Sequence, residues 1–200
     1  MRKQTTANIV VAGVGGQGNI LISKILAECA RSQGLRVIVG EAFGVSQRGG
    51  SVMSHLRIGD GVLSPISAEH GTHIICGLEP MEALRAAIQY IKADGTVVTN
   101  LHTFRPIRVN MGKIKYPAIE EILKTLENIC KQVIAFDATE LAEEAGGAVF
   151  ANMVLLGALS TIGLLDLPVD AYENALSVNV PMFLDKNLRA FHLGRQKCLK

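Results

Sequence analysis

The chain is predicted to fold as a single α/β domain over residues 1–200. It should have three layers, a mixed but mainly parallel sheet with a Rossmann-like βαβ start, a β-hairpin insertion and a helical C-terminal third. Three observations predict this. A short apolar, β-branched run, Asn8 to Ala12, leads into the glycine-rich Gly13-Val14-Gly15-Gly16-Gln17-Gly18 and then into a helical stripe. Strand-like and helix-like segments alternate as far as Asp137, and only helical patterns follow it. No linker, repeat or low-complexity tract divides the 200 residues, a length suited to one domain.

Each element has its own signal. After the glycine turn, Ile20, Leu21, Ile25, Leu26 and Cys29 recur at helical spacing, and Gly34 supplies a C-cap. Val37-Ile38-Val39 then reads as a second buried strand, making a parallel βαβ unit with the first. Ser51 to Ile58 and Val62 to Ile66 flank Asp60-Gly61, which predicts an antiparallel hairpin. His73 to Gly77 is a buried strand. Pro80 opens a helix whose inner face carries Leu84, Ala87, Ile88 and Ile91, and Asp94-Gly95 turns into the strand Thr96 to Thr99. Leu101 to Lys115 is irregular and holds Arg105, Arg108, Lys113 and Lys115 without an acid. Pro117 starts a helix with Glu120 and Glu121 at its positive end, and Gln132 to Asp137 is the last strand. Helical patterns cover Asp137 to Ala145, the stretch from about Val149, a Pro168-led segment and one from about Pro181.

Composition narrows the function classes. Hydrophobic residues make up 48% and charged residues only 19%, more apolar surface than one core hides, which points to a subunit interface. Twenty basic against 18 acidic residues leave a net charge of +2, too small an excess for a nucleic-acid binder. Cys29, Cys76, Cys130 and Cys198 lie far apart with no CxxC spacing, so no local iron–sulfur or zinc site is expected and the thiols read as reduced. Met-Arg-Lys-Gln-Thr-Thr carries no apolar signal core, and the uncharged stretch Ala145 to Leu165 contains Asn152, Ser160 and Thr161 without a basic anchor. A buried helix in a cytoplasmic protein, with no membrane contact, is the expectation.

Two loops are candidates for chemistry. In Gly13-x-Gly15-x-x-Gly18, glycines allow a tight turn and close ligand approach, while helix N-terminal amides favour an anion. Gly16 and Gln17 add a small and a polar position. Glu41 lies 23 residues after Gly18, where a dinucleotide-binding fold places its ribose-reading acid. The loop suits a phosphate-bearing ligand about as well as it suits glycine packing beneath a partner subunit. The second candidate is Ser46-Gln47-Arg48-Gly49-Gly50-Ser51, expected at the same sheet edge, where Arg48 offers a guanidinium fork to a carboxylate or phosphate. The histidines His55, His70, His73, His102 and His192 form no ligand pattern, so no metal is expected, and no nucleophile–base pair is evident.

Together, Val10 to Gly18, Val39-Gly40-Glu41 and Ser46 to Ser51 resemble the beta subunit of indolepyruvate ferredoxin oxidoreductases. They also resemble the gamma-type module of pyruvate and other 2-oxoacid ferredoxin oxidoreductases, and Asn152 to Ala158 is similar to that family's later helix. The resemblance implies oxidative decarboxylation of a 2-oxoacid to an acyl-CoA, with electrons passing to ferredoxin. It further implies a large partner subunit that carries thiamine diphosphate, its magnesium and the iron–sulfur clusters, with CoA as cosubstrate and no cofactor held by this chain alone. A second copy of the chain is another candidate for the apolar surface. Gly59-Asp60-Gly61 echoes the start of a thiamine motif, but positions 86 to 91 read Ala-Ala-Ile-Gln-Tyr-Ile, without its asparagines. No catalytic acid or base is assigned. A nucleotide-binding module for NAD, FAD or CoA, or a scaffold subunit without catalytic residues, are the competing readings.

Overall fold

The structure, a computed structural model, describes residues 6–43, 50–104, 115–164 and 166–199. Strand β1 (Ala7–Val14) is buried at every position. Ile9 and Val11 face one helical layer, Val10 and Ala12 the other. Burial on both faces explains why the run is continuously apolar rather than alternating. Helix α1 (Asn19–Ser32) follows and stops before Gly34, whose φ of 75° the left-handed region requires. Then come β2 (Val37–Phe43), β3 (Ser51–Ile58), β4 (Thr72–Gly77), α2 (Pro80–Tyr90), β5 (Ile91–Asn100), α3 (Ile119–Ile129) and β6 (Gln132–Phe136). The described chain ends in α4 (Ala138–Ala145), a 3₁₀ turn (Ala148–Phe150), α5 (Ala151–Leu159), α6 (Val169–Asn179) and α7 (Leu184–Leu199).

The six strands are ordered β2-β3-β1-β4-β5-β6. β1, β4, β5 and β6 run parallel, and β3 is antiparallel to both β1 and β2. One core packs α1 and α4 to α7 on one face, and a smaller one packs α2 and α3 on the other. The mixed, mainly parallel three-layer sheet thus agrees with the sequence.

Three local expectations do not hold. β1 and β2 are not neighbours, because β3 inserts between them, pairing Val14 with Ser51 on one side and Phe43 with Val52 on the other. The antiparallel insertion is therefore the β2–β3 pair, and Val62 to Ile66 beyond Asp60-Gly61 forms no strand. An Asp-Gly turn needs only local backbone freedom, whereas a hairpin needs a partner edge, and β3 already has partners on both sides. Finally, Ile20 and Ile88 are 46% and 57% exposed, at the margins of stripes narrower than the periodicity implied, and Ile91 opens β5 instead of closing α2.

Helix α5 is the centre of the larger core. All residues from Asn152 to Leu159 are buried, so the middle of the uncharged stretch is a short internal helix. Among the described residues no single helix is long and apolar enough to cross a membrane. α5 crosses α7 at contact distance: a Cβ on Gly157 would lie 1.9 Å from the Phe191 carbonyl oxygen, and one on Gly194 would lie 1.8 Å from that of Val154.

Candidate functional site

Adjacent parallel strands β1 and β4 feed helices on opposite faces, α1 into the larger core and α2 into the smaller. The sheet therefore splits at their C-terminal ends, the place where open α/β sheets form a crevice for a ligand. The glycine loop occupies this position. Gly13 lies near the end of β1, close to the side chains of Gln17 and Asn19. Gly15 donates its N–H to the Gly50 carbonyl at 2.9 Å, and the Gln17 N–H returns to the Val14 carbonyl at 3.1 Å. The Gln17 side chain folds back, its Oε1 accepting from Val14 N at 2.7 Å and its Nε2 donating to the Leu78 carbonyl at 3.4 Å. Gly18, at φ 93°, is the N-cap of α1 and makes no side-chain cap.

Gly50 and Ser51 thus lie against the glycine loop, as expected of the second candidate loop. Ser46, Gln47, Arg48 and Gly49 lie outside the described residues. Glu41 does not join the site. It is exposed on edge strand β2, paired with Ser54, which pairs in turn with Val11. Two strand spacings, roughly 10 Å, separate it from β1, and it sits below the loop rather than beside it. The ribose-reading position of a dinucleotide fold requires β2 next to β1, and the intervening β3 removes it.

Two hollows flank the loop. One, of about 610 Å³, opens over the start of α1 between Ile20, Leu21, Lys24 and Val52. The other, of about 260 Å³, lies between the loop and the ends of β4 and β5, and its polar walls are Gln17, Asn100, His102, Thr139 and Asn152. Sequence reasoning assigned none of the last four. Asn100, at the end of β5, accepts from the N–H groups of His102 (3.2 Å) and Ala138 (2.9 Å) and donates to Thr139 Oγ1 at 2.9 Å. It ties the chain leaving β5 to the start of α4. Asn152 is the one side-chain amide in an otherwise apolar helix, and that incongruity was the available signal. Its Nδ2 would lie 2.2 Å from a Cβ at Gly18, so the loop has room for this amide only because residue 18 has no side chain.

A buried acidic pair lies just behind the crevice. Glu79 is 1% exposed, caps α2 through the Glu82 N–H at 3.0 Å and accepts the Tyr116 hydroxyl. Glu82 pairs with Arg85 at 2.5 Å. Burial pushes the Glu79 carboxyl above its ordinary range, opposed by the Tyr116 and Glu82 hydrogen bonds. Because its folded-state value exceeds the unfolded one, this group favours folding most at acid pH, and that contribution falls as pH rises through the window between them. Removing the Tyr116 hydroxyl raises Glu79 further. Tyr116→Phe is therefore expected to cost about 1.5–3 kcal/mol at neutral pH, and less below pH ~4, in urea denaturation across that range.

Thiol chemistry is not poised here. Cys29 and Cys76 are buried, and burial raises both thiols to about 12, so they are protonated at neutral pH. Among the described residues no group of three His, Cys, Asp or Glu side chains converges. Among the described residues, then, no ligand set of the size that an iron–sulfur cluster uses comes together.

Comparison with known proteins agrees with this architecture. Residues 8–197 match the family model for pyruvate ferredoxin/flavodoxin oxidoreductase. The chain is 41% identical over 189 residues to the indolepyruvate oxidoreductase subunit IorB of Thermococcus kodakarensis, covering 94% of this chain and 93% of that protein. The fold is similar to that of pyruvate oxidoreductase subunit PORC from Thermotoga maritima, with a TM-score of 0.72 and 22% identity over 96% of this chain and 97% of that one. It is also similar to part of the 2-oxoglutarate:ferredoxin oxidoreductase of Magnetococcus marinus, with a TM-score of 0.74 and 22% identity. That match covers 98% of this chain but 32% of that one.

Proposed function

The chain belongs to the pyruvate ferredoxin/flavodoxin oxidoreductase family, and we propose that it serves as the small subunit of a 2-oxoacid:ferredoxin oxidoreductase acting on indolepyruvate or another aryl pyruvate. The observation that carries the reading is 41% identity to an indolepyruvate oxidoreductase subunit over nearly the full length of both chains. In this reaction a 2-oxoacid loses CO2, its acyl carbon is oxidised and joins the CoA sulfur, and the electrons leave to ferredoxin. Thiamine diphosphate, when bound to the large partner subunit, supplies the carbanion chemistry, and the clusters there carry the electrons.

This chain's own part is to shape the shared site. The glycine loop presents amides and admits close approach, and the Gly15–Gly50 bond holds the second loop beside it. Arg48, two residues before Gly50, is suited to a substrate carboxylate or a CoA phosphate. Exposed Ile20 and Val149 at the rim suit a subunit contact that excludes water. A free dinucleotide module is less well supported, since Glu41 lies away from the loop.

Purified alone, the chain should show neither iron–sulfur absorbance nor 2-oxoacid oxidation, and both should appear once the large subunit is added. Activity in the isolated chain would contradict the division of labour. Arg48→Ala should lower turnover or affinity of the reconstituted complex by roughly 10- to 100-fold, the scale of one charge-assisted contact, with thermal unfolding unchanged. Unaltered kinetics would remove Arg48 from the site.

A further inference from the structure

The sheet has two outer strands, β2 and β6, and they are finished differently. β6 is five residues long and follows Lys131, whose N–H is taken by the Gly95 carbonyl. β2 is seven residues long, Val37-Ile38-Val39-Gly40-Glu41-Ala42-Phe43, and pairs with β3 along its whole length without a bulge. Among the described residues no hydrogen bond reaches its outer side. Such an edge presents a row of N–H and C=O groups to any other strand, and proteins blunt it with Lys, Pro, a bulge or a covering segment. β2 contains no Lys, Pro or bulge, and its one charge is Glu41.

Both faces beside this edge are apolar. Val39 pairs with Leu56 of the larger core, so it lies on the α1 face, and it is 38% exposed. On the other face the segment after β3 folds back, held by Arg57, which donates to the Ser64 and Ile66 carbonyls at 3.1 and 3.5 Å. It sets Pro65 and Ile66 over Gly40, where a Cβ would lie 2.8 Å from Pro65 Cβ and 3.2 Å from Ile66 Cδ1. Ile66 stays 41% exposed. The segment thus covers the face of β2 and leaves its edge open.

We propose that β2 pairs with β2 of a second copy of this chain, antiparallel about a two-fold axis at Gly40, so that the two sheets become one. Closure selects this occupant. Pairing β2 with β6 of another copy is head-to-tail and repeats without end, whereas β2 on β2 is complete as a dimer. Self-complementarity selects it too. A two-fold axis normal to the sheet keeps each face on its own side, so residues that oppose each other must point the same way. With Gly40 on the axis, Val39 opposes Glu41 of the second copy and Ile38 opposes Ala42. No charge opposes itself. Pro65 and Ile66 of both copies then meet beside the axis on one face, and Val39 of both lies beside it on the other. Apolar surface leaves water on both faces at once. This contact is independent of the functional reading above.

The test is sedimentation equilibrium of the full chain over the micromolar range, with hydrogen exchange of the β2 amides followed at the same concentrations. A monomer–dimer equilibrium is expected, with alternate β2 amides slowing as the dimer fraction rises. Val39→Lys introduces the residue that blunts natural edges, and each dimer contains it twice, so dimerisation should weaken by roughly 100-fold. Ile66→Lys lies outside the sheet on the opposite face, should weaken dimerisation roughly tenfold, and keeps the test decisive if the first variant folds poorly. The proposal is overturned by a chain that stays monomeric throughout or by a dimer that both variants leave intact. A dimer whose β2 amides exchange as in the monomer overturns it as well. So does β2 protection that appears only with the large subunit, which would assign the edge to that partner.

Discussion

Gly194→Ala is expected to destabilise the chain by about 3 kcal/mol or more, with Gly157→Ala close behind. A Cβ at Gly194 would stand 1.8 Å from the Val154 carbonyl oxygen, and one at Gly157 would stand 1.9 Å from that of Phe191. Both obstacles are backbone, which no rotamer change relieves. α5 and α7 would have to separate, and α5 is buried from Asn152 to Leu159, so the shift would run through the larger core. Overpacking usually costs ~1–3 kcal/mol, and a backbone collision at the centre of a core lies at the upper end. Against a typical total of ~5–15 kcal/mol, that loss is large enough to read in urea denaturation and in soluble yield. The two glycines serve one crossing, so their effects should not add: the double variant should lose clearly less than the sum of the singles. Strict additivity would mean that the helices are not in the close contact described.

Gly18→Ala is expected to strike function as well as stability. Residue 18 has φ 93°, which an L side chain rarely adopts, and its Cβ would lie 2.2 Å from Asn152 Nδ2. Strain and collision together should cost about 1–3 kcal/mol and displace either the loop or the amide. Turnover of the reconstituted complex should fall at least roughly tenfold. Adding Asn152→Ala to Gly18→Ala should restore the part of the stability due to collision, leaving the φ strain. It should not restore turnover, because the amide is then missing. Recovery of both would show that Asn152 matters to the site only by being in the way.

The glycine loop shows where the sequence is readable and where it is not. Strand β1, the turn and helix α1 are local matters. An apolar β-branched run, glycines and a helical stripe leave few other choices, and these elements lie close to where the pattern put them. The same holds for α2 behind Pro80, for α4 behind Asp137 and for β6. The expectation that failed was about adjacency. Val37 to Val39 does form a strand, but nothing in its residues says that β3 stands between it and β1. With that insertion Glu41 left the site. In its place came Asn100, Thr139 and Asn152, from segments up to 134 positions away from Gly18 along the chain.

What the sequence by itself determined is the inventory and the class: an aliphatic α/β chain with a glycine turn after its first strand, cysteines without ligand spacing, and a loop pairing Arg48 with glycines. The fold's layers followed from periodicity, which depends on neighbours a few residues apart. Only the tertiary structure decided which strands touch, that Gly18 is small for the sake of Asn152, and that Asn100, Thr139 and Asn152 meet at one crevice. Those are properties of residues distant in the chain and close in space. Hydrogen-bond satisfaction is settled by contact, and sequence periodicity does not encode contact.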